Sequence, residues 1–263
     1  MGLKAALLAL AVAVSPASYL TARQQPDGGF AEPGGRSAPE LTAWAVLGLA
    51  AAGQPPARAA AYLSSEPTRD ATDIALRALA LRALGANADA MLSRLTARAD
   101  GRIGTLVNST IWGVLALRAA SRTVPTSSVR FLLRQQRRSG GWSWYQRGAP
   151  DSNDTAAAIE ALRAVGVRGK PITRGLAYLR SLQRKDGGFA LVRGRVSDSQ
   201  STAWAIQAFI AAGKKPPAAA FRFLVRMRRE DGSYRYSARY AVTPVWVTAQ
   251  VLPALARKSF PLR

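Results

Sequence analysis

The chain has 263 residues, a formal net charge of +22 and neither cysteine nor histidine. Those absences exclude disulfides, thiolate nucleophiles, Cys/His zinc sites and histidine acid–base chemistry together, leaving any metal to the 15 carboxylates, and no metal or cofactor site is expected. A hydrophobic content of 48% is enough for a packed core and too high for a disordered chain.

The first residues, MGLKAALLALAVAVSPA, carry one lysine, an apolar run from Ala5 to Val14 and then small residues. This is the pattern of a secretory signal cut after Ala13 or Ala17, and the run is too short to span a bilayer. The same residues also read as an apolar lead into a first helix, because SYLTARQQ follows at once. The signal reading predicts removal of residues 1–17 and a single secreted or cell-surface domain over 18–263. The helix reading leaves the protein in the cytoplasm.

From Ser18 onward the chain repeats itself. SYLTARQQPDGGF (Ser18–Phe30) returns as RFLLRQQRRSGGW (Arg130–Trp142), RGLAYLRSLQRKDGGF (Arg174–Phe189) and RFLVRMRREDGSY (Arg222–Tyr234), with a worn copy in MLSRLTARADGRIG (Met91–Gly104). The four good copies each hold an aromatic–Leu pair. Four residues past the leucine stands Gln24, Gln136, Gln183 or Arg228, then Gly28, Gly140, Gly187 or Gly232, and Phe30, Trp142, Phe189 or Tyr234 ends the copy. Glycine accepts the positive φ that ends a helix, and a glutamine amide satisfies orphan groups at the helix end. Each copy is therefore an amphipathic helix with a built-in stop.

An apolar segment follows each stop. In chain order these are Thr42–Gly53, Asp70–Gly85, Thr110–Leu117, Thr155–Gly166, Thr202–Gly213 and Val245–Leu255. They are apolar nearly all round, as helices buried on both sides must be. Outer helices precede about Gly28, Pro67, Gly101, Gly140, Gly187 and Gly232, and inner helices start near Glu40, Asp70, Asn108, Asp151, Asp198 and Thr243. The expectation is an all-α chain of about 12 helices with a period of about 40 residues. Six such hairpins close into an (α/α)6 toroid; an open solenoid is the alternative, and the lack of capping repeats favours closure.

The stop motif resembles the QW motif of squalene and oxidosqualene cyclases, and more broadly the chain is similar to the prenyltransferase/squalene-oxidase repeat superfamily from about Ser18 to Leu255. The resemblance implies the toroid. It also implies chemistry that these residues only partly support. Zinc-dependent prenyltransferases and thioester domains need cysteine or histidine. Class II terpene cyclases use DxDDTA, where the middle acid protonates an alkene or epoxide; here Asp151–Ala156 reads DSNDTA, and Asn153 holds the proton donor's place. An amide is not a Brønsted acid of the needed strength. Asp154, with Asp151 raising its pKa, is the candidate substitute.

Aligning on threonine puts a polar residue two positions earlier in five repeats: Glu40, Asp70, Asn108, Asn153 and Gln200, with Asp198 in the Asp151 position one repeat later. These groups either cap helices or form a ligand-facing rim. Trp44, Trp112, Trp204 and Trp246 align on four inner helices, as core packing or as the wall of a central apolar cavity. Arg235, Tyr236, Arg239 and Tyr240 cluster in the last loop, which is either solvated or able to grip an anionic group.

Two functions follow. The first is a secreted, non-catalytic protein binding an apolar or isoprenoid-like ligand in the toroid centre. The second is a class II-type cyclase with its acid relocated to Asp154, Asp151, Asp70 or Glu40. The basic residues, mostly arginine, are spread without any long block or nucleic-acid motif, which argues against nucleic acid and suits an anionic cell-surface polymer or membrane surface.

Overall fold

A computed structural model describes residues 14–262. The expected signal therefore lies almost wholly outside the described residues. Twelve helices are present among those described, in the expected outer–inner alternation: α1 (Pro16–Thr21) with α2 (Pro39–Ala51), α3 (Ala59–Ser65) with α4 (Ala71–Ala83), α5 (Asp89–Leu92) with α6 (Val107–Ala119), α7 (Thr126–Gln135) with α8 (Ser152–Ala164), α9 (Lys170–Ser181) with α10 (Ser199–Ala211), and α11 (Ala218–Met227) with α12 (Pro244–Leu255). One short antiparallel pair, β1 (Phe189–Ala190) with β2 (Ser197–Asp198), is the only sheet in that range.

The inner helices are buried along most of their length, because their neighbours lie on both sides and the outer layer lies behind them. Each inner helix packs on the next round the circle, and α12 packs on α2. The solenoid alternative is thereby excluded: the ring is closed. Outer helices α7, α9 and α11 bury one stripe and expose their arginines. Two units depart from the pattern: in the second, Pro67 follows α3 where other units have the glycine stop, and in the third, α5 is a single turn ahead of Gly101.

The stop motif works through three contacts, seen clearly after α9. Gly187 sits at φ +88°, and a Cβ there would run into the backbone carbonyl of Ala219 on α11. Gln183 Nε2 donates to the Gly187 carbonyl at 3.0 Å, bracing the turn. The Phe189 amide then donates to Thr202 Oγ1 at 2.9 Å, tying the outer turn to the next inner helix. The same amide-to-threonine bond recurs at Phe30–Thr42, Ile103–Thr110, Trp142–Thr155 and Tyr234–Thr248.

The seam between last and first units uses a variation on these parts. Arg228 replaces the usual glutamine and donates to the Val14 carbonyl at 2.9 Å, while Gly232 abuts the backbone of Val14 and Ser15. Glu32 reaches back across the seam, accepting from the Val245 and Trp246 amides at 3.0 and 2.8 Å and so capping α12. Ser15 Oγ caps α1 by accepting from the Ser18 amide at 3.0 Å. A cut after Ala13 would leave these contacts whole; a cut after Ala17 would remove those of Val14 and Ser15 together with the start of α1.

Candidate functional site

The threonine anchors decide which residues face the axis. On a helix of 3.6 residues per turn, positions two before and two after a given residue lie about 160° round from it, on the opposite face. With the threonine turned outward to the stop motif, those two positions turn inward, one above the other. The first tier is Glu40, Thr72, Asn108, Asn153, Gln200 and Trp246, and the second is Trp44, Leu76, Trp112, Ala157, Trp204 and Gln250. All twelve line a central cavity of about 290 Å³, together with Asp151, Asp154, Trp144 and Leu191.

The lower tier forms a floor. Trp44, Trp112 and Trp204 meet edge-on with ring centroids 5.3–5.7 Å apart, and Phe260 of the C-terminal tail packs beneath them at 5.9–6.3 Å. Such edge-to-face contacts suit the aromatic quadrupoles. Gln250 Oε1 accepts from Trp204 Nε1 and Gln200 Nε2, both at 2.8 Å, and fixes that side of the floor. The Trp44 indole N–H is buried and has no partner among the described residues.

The upper tier is polar and centred on α8. Asp151 caps α8 by accepting from the Asp154 amide at 2.8 Å, and Asn108 Nδ2 donates to Asp154 Oδ1 at 2.7 Å. Burial pushes the Asp154 carboxyl well above the usual carboxylate range, and the adjacent Asp151 raises it further against the Asn108 bond. Burial raises Asp151 too, with its hydrogen bonds from Asp154 and Asn153 working the other way. Both carboxyls on this stretch of cavity wall are therefore shifted towards the protonated form. At the exposed mouth, desolvation and then Asp73 and Asp70 raise Glu40.

The structure brings together Glu40, Asn108, Asn153, Gln200, Trp44, Trp112, Trp204, Trp246, Asp151 and Asp154. It places Asp70 and Asp198 elsewhere, as the N-caps of α4 and α10, accepting from the Asp73 and Ser201 amides. The reason in α4 is register: Ile74 occupies the anchor place, so Thr72 belongs to the upper tier and Asp70 falls outside the helix. Register also moves Trp246, which precedes the anchor Thr248 and so belongs to the upper tier, where its ring packs on Trp44 of the floor with centroids 6.2 Å apart. Thr72, Leu76, Ala157 and Gln250 were readable only by carrying the anchor through all six units. Trp144 and Leu191 arrive by loops that hook back over the preceding inner helix, the Asn108 amide donating to the Trp144 carbonyl and the Ser152 amide to that of Leu191.

A wider basin of about 840 Å³ opens at the opposite end of the ring. Its arginines hold helix ends: Arg118 Nε donates to the Ala164 carbonyl and Arg163 Nε to that of Ala211, both at 3.1 Å. The tail closes this end, with the Phe260 amide donating to buried Glu160 Oε2 at 2.5 Å. Burial holds Glu160 well above the usual carboxylate range. The basin shares neither the carboxyl pair nor the tryptophans of the central cavity.

Known proteins share this fold. A protein from Actinoplanes superimposes with a TM-score of 0.71 at 20% identity, covering 92% of this chain and 97% of that one. The type II terpene cyclase MstE from Scytonema gives 0.73 at 17% identity over 92% and 95% of the two chains. A single-residue variant of that cyclase in complex with the substrate geranylgeranyl dihydroxybenzoate gives 0.69 at 17% identity, again over 92% and 95%. At such identities the likeness establishes the fold. No curated protein matches the chain. The squalene-hopene cyclase C-terminal domain matches residues 121–262, more than half of the sequence and all of the last three units of the ring. The chain belongs to the squalene-hopene cyclase C-terminal domain family.

Proposed function

We propose that this protein binds an apolar, isoprenoid-like small molecule in the centre of the toroid and does not convert it. One observation carries the reading: the cavity keeps its tryptophan floor, while the inward position where the family resemblance expects the proton donor holds the amide of Asn153. At the packing density of protein interiors the 290 Å³ cavity takes roughly a dozen methylene-sized groups, about two to three isoprene units. A longer chain would project through the mouth.

The mouth suits delivery from an anionic lipid surface. Trp144, Tyr145, Val196, Tyr240 and Val242 are exposed on the loops above it, interleaved with exposed Arg147, Arg193, Arg195 and Arg239. Aromatic and arginine side chains together fit the headgroup zone of a bilayer. No described helix is long and apolar enough to cross a membrane, so contact there would be peripheral. Export through the signal-like start fits the same placement.

The test is native mass spectrometry of protein purified from its own host, followed by solvent extraction. A stoichiometric apolar molecule is the expected result. A second reading rests on buried Asp154, whose carboxyl is pushed well above the usual carboxylate range, in a terpene cyclase-like fold: acid-initiated cyclisation from that carboxyl. Turnover of polyprenyl substrates that disappears in Asp154→Asn would establish this second reading and overturn the first.

A further inference from the structure

Positive charge gathers at the end of the ring opposite the mouth. The far basin is lined by five cations, Arg118, Arg122, Arg163, Arg257 and Lys258, and the one carboxyl among its lining residues is Glu160. Inner helices α6, α8, α10 and α12 end there, and cations suit helix ends. Each end carries about half a negative charge, so together they offset about two of the cations. Asp89 pairs with Arg122 and offsets another. About two positive charges are left without a counter-charge.

Helix ends do not account for two features of this basin. The first is Arg257. The residue after the C-cap of each inner helix takes a left-handed backbone, and in four units it is glycine: Gly53, Gly85, Gly166 and Gly213. A Cβ on any of these four would meet nothing within 4 Å, so glycine serves the backbone there and not the space. After α12 the place belongs to Arg257 at φ +54°, a conformation that a residue with a Cβ adopts at a cost (Ser121 is the other exception). The Arg257 guanidinium lies over the Phe221 ring, 4.8 Å from its centroid, with no hydrogen bond or ion pair among the described residues.

The second feature is Glu160. Burial favours its protonated form, against the lowering effect of the Phe260 amide bond. Oε2 accepts that amide, which leaves the proton to Oε1. Oε1 is buried and has no partner among the described residues. An O–H donor without an acceptor therefore stands on the wall of a basin of cations, and such a donor is costly to leave unmet.

We propose that the far basin binds the phosphate group of a small molecule as its dianion, held by Arg257, Lys258 and the uncommitted terminal nitrogens of Arg118 and Arg163, with Glu160 as a neutral donor. A phosphate monoester carries about two negative charges near neutral pH, which matches the charge left over. Guanidinium forks fit its oxygens. Inorganic phosphate shares this chemistry, but Val124, Val165 and Ile210 on the walls offer apolar cover to an organic body and favour the monoester. Phe260 and the tryptophan floor separate the basin from the central cavity, so its ligand is independent of the cavity's.

Calorimetry at pH 7.5 with phenyl phosphate, phenyl sulfate and inorganic phosphate tests charge and body separately. Phenyl phosphate is expected to bind at least roughly tenfold tighter than the monoanionic phenyl sulfate, with affinity falling as salt rises. Inorganic phosphate should bind about threefold more weakly than phenyl phosphate; equal affinity would overturn the organic body and name free phosphate as the ligand. Arg257→Gly should lower phenyl phosphate affinity about tenfold while the melting temperature stays at or above the parent's, because glycine relieves the left-handed backbone. Glu160→Gln keeps a neutral donor and should leave affinity within about twofold. Equal affinity for phenyl phosphate and phenyl sulfate, no binding of any probe, or parental affinity in Arg257→Gly would overturn the assignment. Binding about tenfold tighter in Glu160→Gln would overturn the donor role, as the sign of an ionised Glu160 repelling the ligand.

Discussion

Asp198 offers a quantitative test of how burial, not partner charge, sets the electrostatics of the inner helix ends. It is 2% exposed and caps α10, accepting from the Ser201 amide at 2.7 Å. Burial raises its pKa from 3.8 to about 6, against the lowering effect of hydrogen bonds from Ser201 and Gln200. A shift of about two units corresponds to about 3 kcal/mol. Because the folded pKa lies above the unfolded one, the contribution to stability is fully present below pH 3.8 and is withdrawn as pH rises to about 6. Above that, the fold holds a buried carboxylate at a cost of about 3 kcal/mol. Asp198→Asn keeps an oxygen for the Ser201 amide and loses only the dipole attraction, about 0.5 kcal/mol. The variant should therefore be more stable than the parent by about 2 kcal/mol near pH 7.5 and about equally stable near pH 4. Urea unfolding at both pH values measures this, and the other buried carboxyls cancel in the difference. A stability difference that is the same at both pH values would refute the reasoning.

Two further outcomes are expected. Gly187→Ala should cost about 3 kcal/mol or more, combining a left-handed backbone with a clash against Ala219, whereas Gly34→Ala, at φ +75° with open space around it, should cost about 1 kcal/mol. Similar thermal shifts for the two variants would sink the view that the stop glycine serves unit-to-unit stacking. For the mouth, Trp144→Ala with Tyr145→Ala should reduce co-sedimentation with vesicles rich in anionic lipid by roughly tenfold, through lost apolar insertion. Unchanged sedimentation would remove the lipid surface from the proposal.

The architecture was legible because its marks are side chains at fixed spacing: Gln183, Gly187 and Phe189 act within one turn, and their copies appear at the same offsets. The upper tier was legible at Glu40, Asn108, Asn153 and Gln200, where a threonine two residues on is the true anchor. It was misread in α4, where Thr72 imitates an anchor that is in fact Ile74, and in α12, where Trp246 matched the other tryptophans by type but not by position. Trp144, Leu191 and Phe260 left no readable trace. Trp144 and Leu191 come to the cavity through backbone hydrogen bonds to preceding helices, and Phe260 through a tail that crosses the far end of the ring.

The anchor geometry also bears on whether Asp154 can take over from Asn153. The threonine bond found in five of the six units is the same bond that aims the residues two before and two after it at the axis. The fold therefore fixes orientation while leaving identity free, and the upper tier runs through Glu, Thr, Asn, Asn, Gln and Trp without disturbing any anchor. Asn153 occupies such an inward position. Asp154 stands one residue from the anchor Thr155, about 100° round the helix from it, turned sideways along the ring. There it accepts from Asn108 of α6, while its backbone amide donates to Asp151. An acid turned that way is poorly aimed for an alkene on the axis, whatever its pKa. Restoring the inward acid with Asn153→Asp, while Asp154 stays in place, therefore separates position from acidity. Cyclase activity in that variant and none in the parent would locate the lost chemistry at one inward position, in a binding site otherwise still built for it.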